Sequence, residues 1–144
     1  MKKRFLLTLG IAAIAGCAFG QSISAKRVPG AVKSALTKKY PQATKVTWEK
    51  ENGNYEANWG GKSGEDMAVQ FSPDGKFVEQ TKAIAVSALP KSVVDGVKAK
   101  YPAAKIKEAG YVTMADGSVR YEAEVKGKDM LFDKSGAFIS EEAD

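Results

Sequence analysis

Two glutamates sit in the same tripeptide at different points of the chain, Tyr55-Glu56-Ala57 and Tyr121-Glu122-Ala123. Paired carboxylates are the side chains here whose type and recurrence could do chemistry, one donating and one accepting a proton as in glycoside hydrolysis. Both lie in short alternating stretches, with nothing nearby that marks a cleft or a raised carboxyl pKa. Acids on such stretches are ordinarily exposed and solvated, so the expectation is a protein that is not an enzyme. The absence of His from all 144 residues removes a His base, a His-oriented nucleophile and any imidazole metal site. One Cys excludes internal disulfides and Cys-cluster zinc or iron–sulfur centres. Asp74-Gly75 and Asp116-Gly117 are turn dipeptides without the alternating acidic ligands of a calcium loop. No cofactor is expected, and what remains is binding chemistry.

The lone thiol, Cys17, belongs to a leader. Lys2, Lys3 and Arg4 form a charged start, and Phe5 to Ala15 is an apolar stretch too short to span a bilayer comfortably. Two cleavage readings compete. Ala18-Phe19-Gly20 offers small residues at the −3 and −1 positions of an ordinary signal-peptidase site, making 1–20 the signal peptide and Gln21 the new N-terminus. Ile14-Ala15-Gly16-Cys17 reads instead as a bacterial lipobox, giving a lipoprotein signal of 1–16 and a lipid anchor on Cys17. Either way the protein is exported: periplasmic or secreted on the first reading, a membrane-anchored lipoprotein on the second. Removing 1–20 leaves 19 Lys and Arg against 17 Asp and Glu, a net of +2 in place of +5. The basic balance therefore resides largely in the leader, and no nucleic-acid partner is expected. No later stretch approaches the roughly 18 apolar residues of a transmembrane helix.

Residues 21–27 read as an N-terminal linker. Beyond it the chain resembles itself at an offset of 61 residues: Val28-Pro29 with Leu89-Pro90, Lys39-Tyr40-Pro41 with Lys100-Tyr101-Pro102, Phe71 with Phe132, Phe77 with Phe138. The two Tyr-Glu-Ala tripeptides are 66 apart, with loop lengths that compensate afterwards. One domain over 28–144 is thus expected to hold two repeats, about 28–84 and 89–140. Each opens with a helix whose proline sits in the first turn and whose apolar residues fall four apart: Val28, Val32, Leu36 and Tyr40, then Leu89, Val93, Val97 and Tyr101. Pro41 and Pro102 end the helices. Alternating stretches joined by Asn52-Gly53-Asn54, Pro73-Asp74-Gly75, Ala115-Asp116-Gly117 and Lys134-Ser135-Gly136 then read as antiparallel strands. The expected fold class is α+β, a tandem repeat of one helix plus a four-stranded antiparallel meander.

A helix opened by a hydrophobic-Pro pair and closed by Tyr-Pro, then Tyr-Glu-Ala, then Phe-x-x-x-Gly-x-Phe, resembles the PepSY-like family of exported bacterial proteins, related in fold to the beta-lactamase inhibitory protein. The resemblance covers roughly residues 28–140. It implies a single curved sheet with the helices on one face and the other face open. No binding motif of the inhibitor aligns here, so none of its binding residues carries over.

The apolar strand positions, among them Trp48, Trp59, Phe71 and Phe132, are expected to form the core beneath the helices. Both Trp residues lie in the first repeat without aromatic counterparts, which makes Trp59 a candidate edge anchor for a partner. The opposite face carries Thr47, Glu49, Glu56, Asn58, Gln70, Gln80, Arg120, Glu122 and Glu124, read as a solvated surface that could recognise another protein. The expected function is a non-enzymatic exported protein-binding module, in its sharpest form an inhibitor or modulator of an envelope or secreted enzyme such as a protease. The alternative is a small-ligand carrier or sensor in the periplasm, which needs a cavity between sheet and helices.

Overall fold

The computed structural model describes residues 20–143, and the side chains of 20–142; the leader, Cys17 and both cleavage readings lie outside this range. Two ten-residue helices form, α1 (Gly30–Lys39) and α2 (Lys91–Lys100). Pro29 and Pro90 stand one position before the first turn, as extended N-caps, each after a short 3-10 turn (Ala25–Arg27 and Val86–Ala88). The N–H groups of Tyr40 and Tyr101 donate to the carbonyls of Leu36 and Val97, closing the helices just before Pro41 and Pro102.

The alternating stretches form nine strands: β1 (Gln21–Ile23), β2 (Thr47–Glu51), β3 (Asn54–Trp59), β4 (Met67–Phe71), β5 (Phe77–Ile84), β6 (Ile106–Met114), β7 (Val119–Val125), β8 (Lys128–Asp133) and β9 (Phe138–Ala143). All pair antiparallel, in chain order, within one sheet. This corrects the expected architecture. Two helix-plus-four-strand repeats are not what the chain forms, because β5 and β6 pair continuously from Glu79↔Met114 to Ile84↔Ala109. A free-standing meander would leave a bare edge on each side of that junction, a liability that the pairing removes. Residues 21–27, expected as a linker, hold β1 and a 3-10 turn, and Ile23 of β1 packs on the core.

One face of the sheet receives both helices. Val28, Val32, Leu36 and Tyr40 pack on Trp48, Ala57, Trp59, Val69 and Phe71. Leu89, Val93 and Val97 pack on Ala109, Ala123, Val125, Met130 and Phe132. Each large side chain so buried contributes about 1.5–3 kcal/mol, which supports helices too short to stand alone. Hairpin turns seat the helices further. Gly75 and Gly136 adopt φ of +83° and +85°, and a Cβ there would come within 2.6 Å of the Ala31 carbonyl oxygen and 2.5 Å of the Ser92 carbonyl. Only glycine combines that backbone angle with so close an approach.

The other face is concave. Glu51 on β2 and Glu142 on β9 both lie on it by register, and the Glu51 carboxyl pKa is raised first by burial and then by the charge of Glu142. In a flat sheet the intervening strand spacings would hold them about 34 Å apart, well beyond the reach of one exposed charge on another. The sheet therefore curls, bringing its two ends towards each other around this face. The expectation of an open, solvated face fails here: Glu56, Asn58, Gln70, Glu79, Thr81, Glu122 and Glu124 are all buried.

Candidate functional site on the concave face

Antiparallel partners point to the same side of a sheet, so the register states which side chains share the concave face. Glu49, Glu56, Gln70 and Glu79 form one row across β2, β3, β4 and β5. The adjacent row runs Thr47, Asn58, Ala68, Thr81, Val112 and Arg120. Further round the curl come Glu122 opposite Leu131, and Glu124 between Glu108 and Asp129. Among the described residues the strands place a single arginine, Arg120, on this face, and Lys107 from the β6 bulge reaches Glu124 at 3.1 Å. Directly opposed like charges such as Glu49 and Glu56 weaken a sheet. Folding stability alone would not select this arrangement.

Burial sharpens the conflict. Glu56 and Glu79 are each only 3% exposed, and withdrawing a carboxylate from water costs several kcal/mol unless it is compensated. Glu56 receives amide donors: Gln70 Nε2 donates to its Oε2 at 3.0 Å, and the Asn58 side chain bonds to it as well. Those bonds hold its pKa down, but burial outweighs them and, with Glu51 and Glu49 adding repulsion, lifts it to about 7. Glu79 is pushed to about 8 by burial first, then by Glu56 and Glu51, with Arg120 opposing. Three buried acceptors on the face, Glu51 Oε2, Asn58 Oδ1 and Glu79 Oε1, have no hydrogen-bond donor among the described residues. Among those residues, no three acidic, His or Cys side chains gather closely enough to hold a metal ion.

Thr47, Glu49, Glu56, Asn58, Gln70, Arg120, Glu122 and Glu124 thus share one face, with Thr47 exposed, Glu49 and Arg120 half-buried and the rest buried. Gln80 does not join them. Its Oε1 accepts from the Tyr40 hydroxyl on the helix side, because a bulge between Gln70 and Phe71 shifts the phase of β5. The same shift brings Glu79 inward, a residue the sequence reading passed over along with Glu51 and Glu142. Adjacent Phe77 and Val78 were the available signal that the simple alternation of β5 is ambiguous. The expectation of ordinary solvated acids is corrected at Glu56, whose burial raises its pKa. Trp59 is no edge anchor: β3 lies between β2 and β4, and the indole is 6% exposed, stacked at a tilt 5.2 Å from Tyr40.

A separate cavity of about 340 Å³ opens where the β3–β4 loop meets the end of β5 and the start of β6, lined by Ser63, Glu65, Asp66, Ile84, Val86 and Glu108 among others. It lies beside the sheet rather than between sheet and helices.

Solved structures share this fold. A "putative periplasmic" protein from Bacteroides eggerthii superposes with a TM-score of 0.68 at 19% identity, over 81% of this chain and 88% of its own. A DUF2874 family protein from Bacteroides uniformis gives 0.67 at 24% identity, over 80% and 88%. A BLIP-like protein from Bacteroides fragilis gives 0.60 at 22% identity, over 80% and 86%. At these identities the likeness is one of fold. No curated protein matches the chain significantly. Among the described residues no helix is long and apolar enough to cross a membrane. The family model described as "Putative beta-lactamase-inhibitor-like, PepSY-like" matches residues 18–79 and again 61–140. The chain belongs to this PepSY-like family.

Proposed function

We propose that this is a non-catalytic exported protein that binds another protein through the concave face of its sheet. The observation that carries the reading is the row Glu49–Glu56–Gln70–Glu79, with two carboxyls buried, their burial only partly offset by amides and Arg120, and unpaired acceptors beside them. A face that costs the fold stability is characteristic of surfaces kept for function. The family's inhibitor-like description and its BLIP-like neighbour support a binding role over catalysis. Inhibition of an envelope or secreted enzyme, such as a protease, is the sharpest form of that role, and the periplasmic description of a fold neighbour supports an exported setting.

Site-specific photocrosslinking in the native cell tests it. A crosslinking side chain at Thr47 or Glu108, both exposed on the concave side, is expected to give a discrete protein adduct that excess unmodified protein competes away. The same group at Ser34, exposed on α1, is expected to give none. Absence of concave-side adducts, or equal adducts from Ser34, would overturn the reading. The small-ligand alternative has one observation in its favour, the cavity beside Glu65 and Glu108. Native mass spectrometry of protein taken from its source would favour it by showing bound mass.

A further inference from the structure

Glu56, Ala68, Thr81 and Glu79 are each 3% exposed, so neither water nor a ligand reaches this part of the concave face while the sheet is curled. The acceptors Glu51 Oε2, Asn58 Oδ1 and Glu79 Oε1 are buried there without a donor among the described residues. An ionised carboxyl in that place would lack both water and a full set of donors. A neutral one has an O–H to give, which turns one orphaned acceptor into a partner for another. The curled form is therefore one that holds protons on its interior acids. No backbone ladder keeps it curled: the strands pair in chain order, and among the described residues none joins β9 to β1 or β2. The two ends of the sheet can part along that seam without breaking a strand–strand hydrogen bond. Both sides of the seam are acidic, with Glu49 and Glu51 on β2 and Glu142 on β9. Resting on the protein-binding reading above, we propose that the curl is a proton-operated latch, shut while the interior acids are neutral and opening along the β2–β9 seam when they ionise, which uncovers the Glu56–Gln70–Glu79 row for a partner.

Glu79 lies between Gln70 of β4 and Met114 of β6, its paired neighbours, which bring no charge. The charges that act on it are Glu56 on β3, Glu51 on β2 and, in the opposite sense, Arg120 on β7. Glu49 adjoins Glu56 on β2, and further round the face are Glu122 and Glu124 on β7, Lys107 and Glu108 on β6, Asp129 on β8 and Glu142 on β9. Opening gives the ionised acids water and relieves their mutual repulsion, so the open form gives up protons that the closed form holds. It is therefore favoured as pH rises through about 7 to 8, where Glu56 and Glu79 titrate. All the buried carboxyls are on the concave side, so helix-side packing stays in place.

Three successive residues of β8 supply the test. Leu131 is buried on the concave side opposite Glu122, while Met130 and Phe132 are buried on the helix side. Hydroxyl-radical footprinting at pH 6 and pH 9, read residue by residue and normalised to the exposed Phe138, follows all three at once. Oxidation of Leu131 is expected to rise at least about tenfold between the two, the factor that a one-unit difference in pKa supplies, with Met130 and Phe132 unchanged. Glu79→Gln, neutral at both pH values and equal in volume, is expected to remove most of the rise; should it not fold, Glu56→Gln is read in its place. Asp95→Asn, which removes an exposed acid from α2, is expected to repeat the wild-type rise. Equal oxidation of Leu131 at both pH values, an undiminished rise in the glutamine variant, or a rise that Met130 and Phe132 share overturns the latch. A Leu131 that stays shut beside persistent concave-side crosslinks overturns the latch and leaves the binding reading standing. A Leu131 that opens without crosslinks does the reverse.

Discussion

Alternate residues of the same nine strands make the two faces of this sheet, and the two faces handle burial in opposite ways. On the helix side, Phe71, Phe132, Met130 and the valines of both helices leave water in company with other apolar groups, so burial is stabilising. On the concave side the buried groups include Glu56, Glu79, Glu122 and Glu124, for which burial is a cost that amides and one arginine only partly offset. The first face explains why the chain folds. The second opposes folding wherever its buried carboxyls must ionise.

Removing helix-side packing should have the largest effect. Phe132 is fully buried against α2, and Phe132→Ala is expected to cost about 3–5 kcal/mol in urea denaturation. A value below about 1 kcal/mol would mean that this face is not the main source of stability.

Changing pH should separate the faces next. Folded Glu79 keeps its proton up to about 8 and Glu56 up to about 7, against an ordinary 4.5 that describes them in the unfolded chain. Between those values the folded state binds more protons, so stability falls as pH rises. The contribution of these two groups is fully present below about pH 4.5 and is lost as pH rises through about 8. Glu79→Gln is expected to flatten that slope in denaturation midpoints taken from pH 5 to 9. An unchanged slope would show that Glu79 is solvated.

Smaller still is the seating of α2 on the β8–β9 turn. Gly136→Ala would force a Cβ onto the Ser92 carbonyl at φ +85°, and a loss of about 2 kcal/mol is expected in thermal unfolding. The smallest effect belongs to neither face. Lys91 and Asp95 pair at 2.6 Å one helical turn apart, both well exposed, and Asp95→Asn should change stability by no more than about 0.5 kcal/mol.

Much of the helix-covered face was legible in the residues. Spacing by four names Val28, Val32, Leu36 and Tyr40, and all four are buried on the strand aromatics. Periodicity within one element also places Glu56 and Asn58 together, because alternation needs no knowledge of neighbours. What depends on pairing between distant segments was not legible. The continuity of β5 with β6 is a property of two strands separated by α2, and the three residues of β1 are too few to show a period. Nor does alternation reveal curvature: a flat sheet with this sequence would leave Glu56 and Glu79 in water. The bulge after Gln70 then exchanges the roles of Glu79 and Gln80, so one residue's slip moved the most perturbed carboxyl from one face to the other.

The direct check of an acidic, desolvated concave face is an NMR titration of the glutamate side-chain carboxyl carbons in the folded protein, with Glu56→Gln and Glu79→Gln supplying the assignments. Carboxyls titrating near 7 and near 8, each missing from its own variant, are the expected result. Glutamates that all titrate around the ordinary 4.5 would contradict it, and with it the reason for regarding this face as a site.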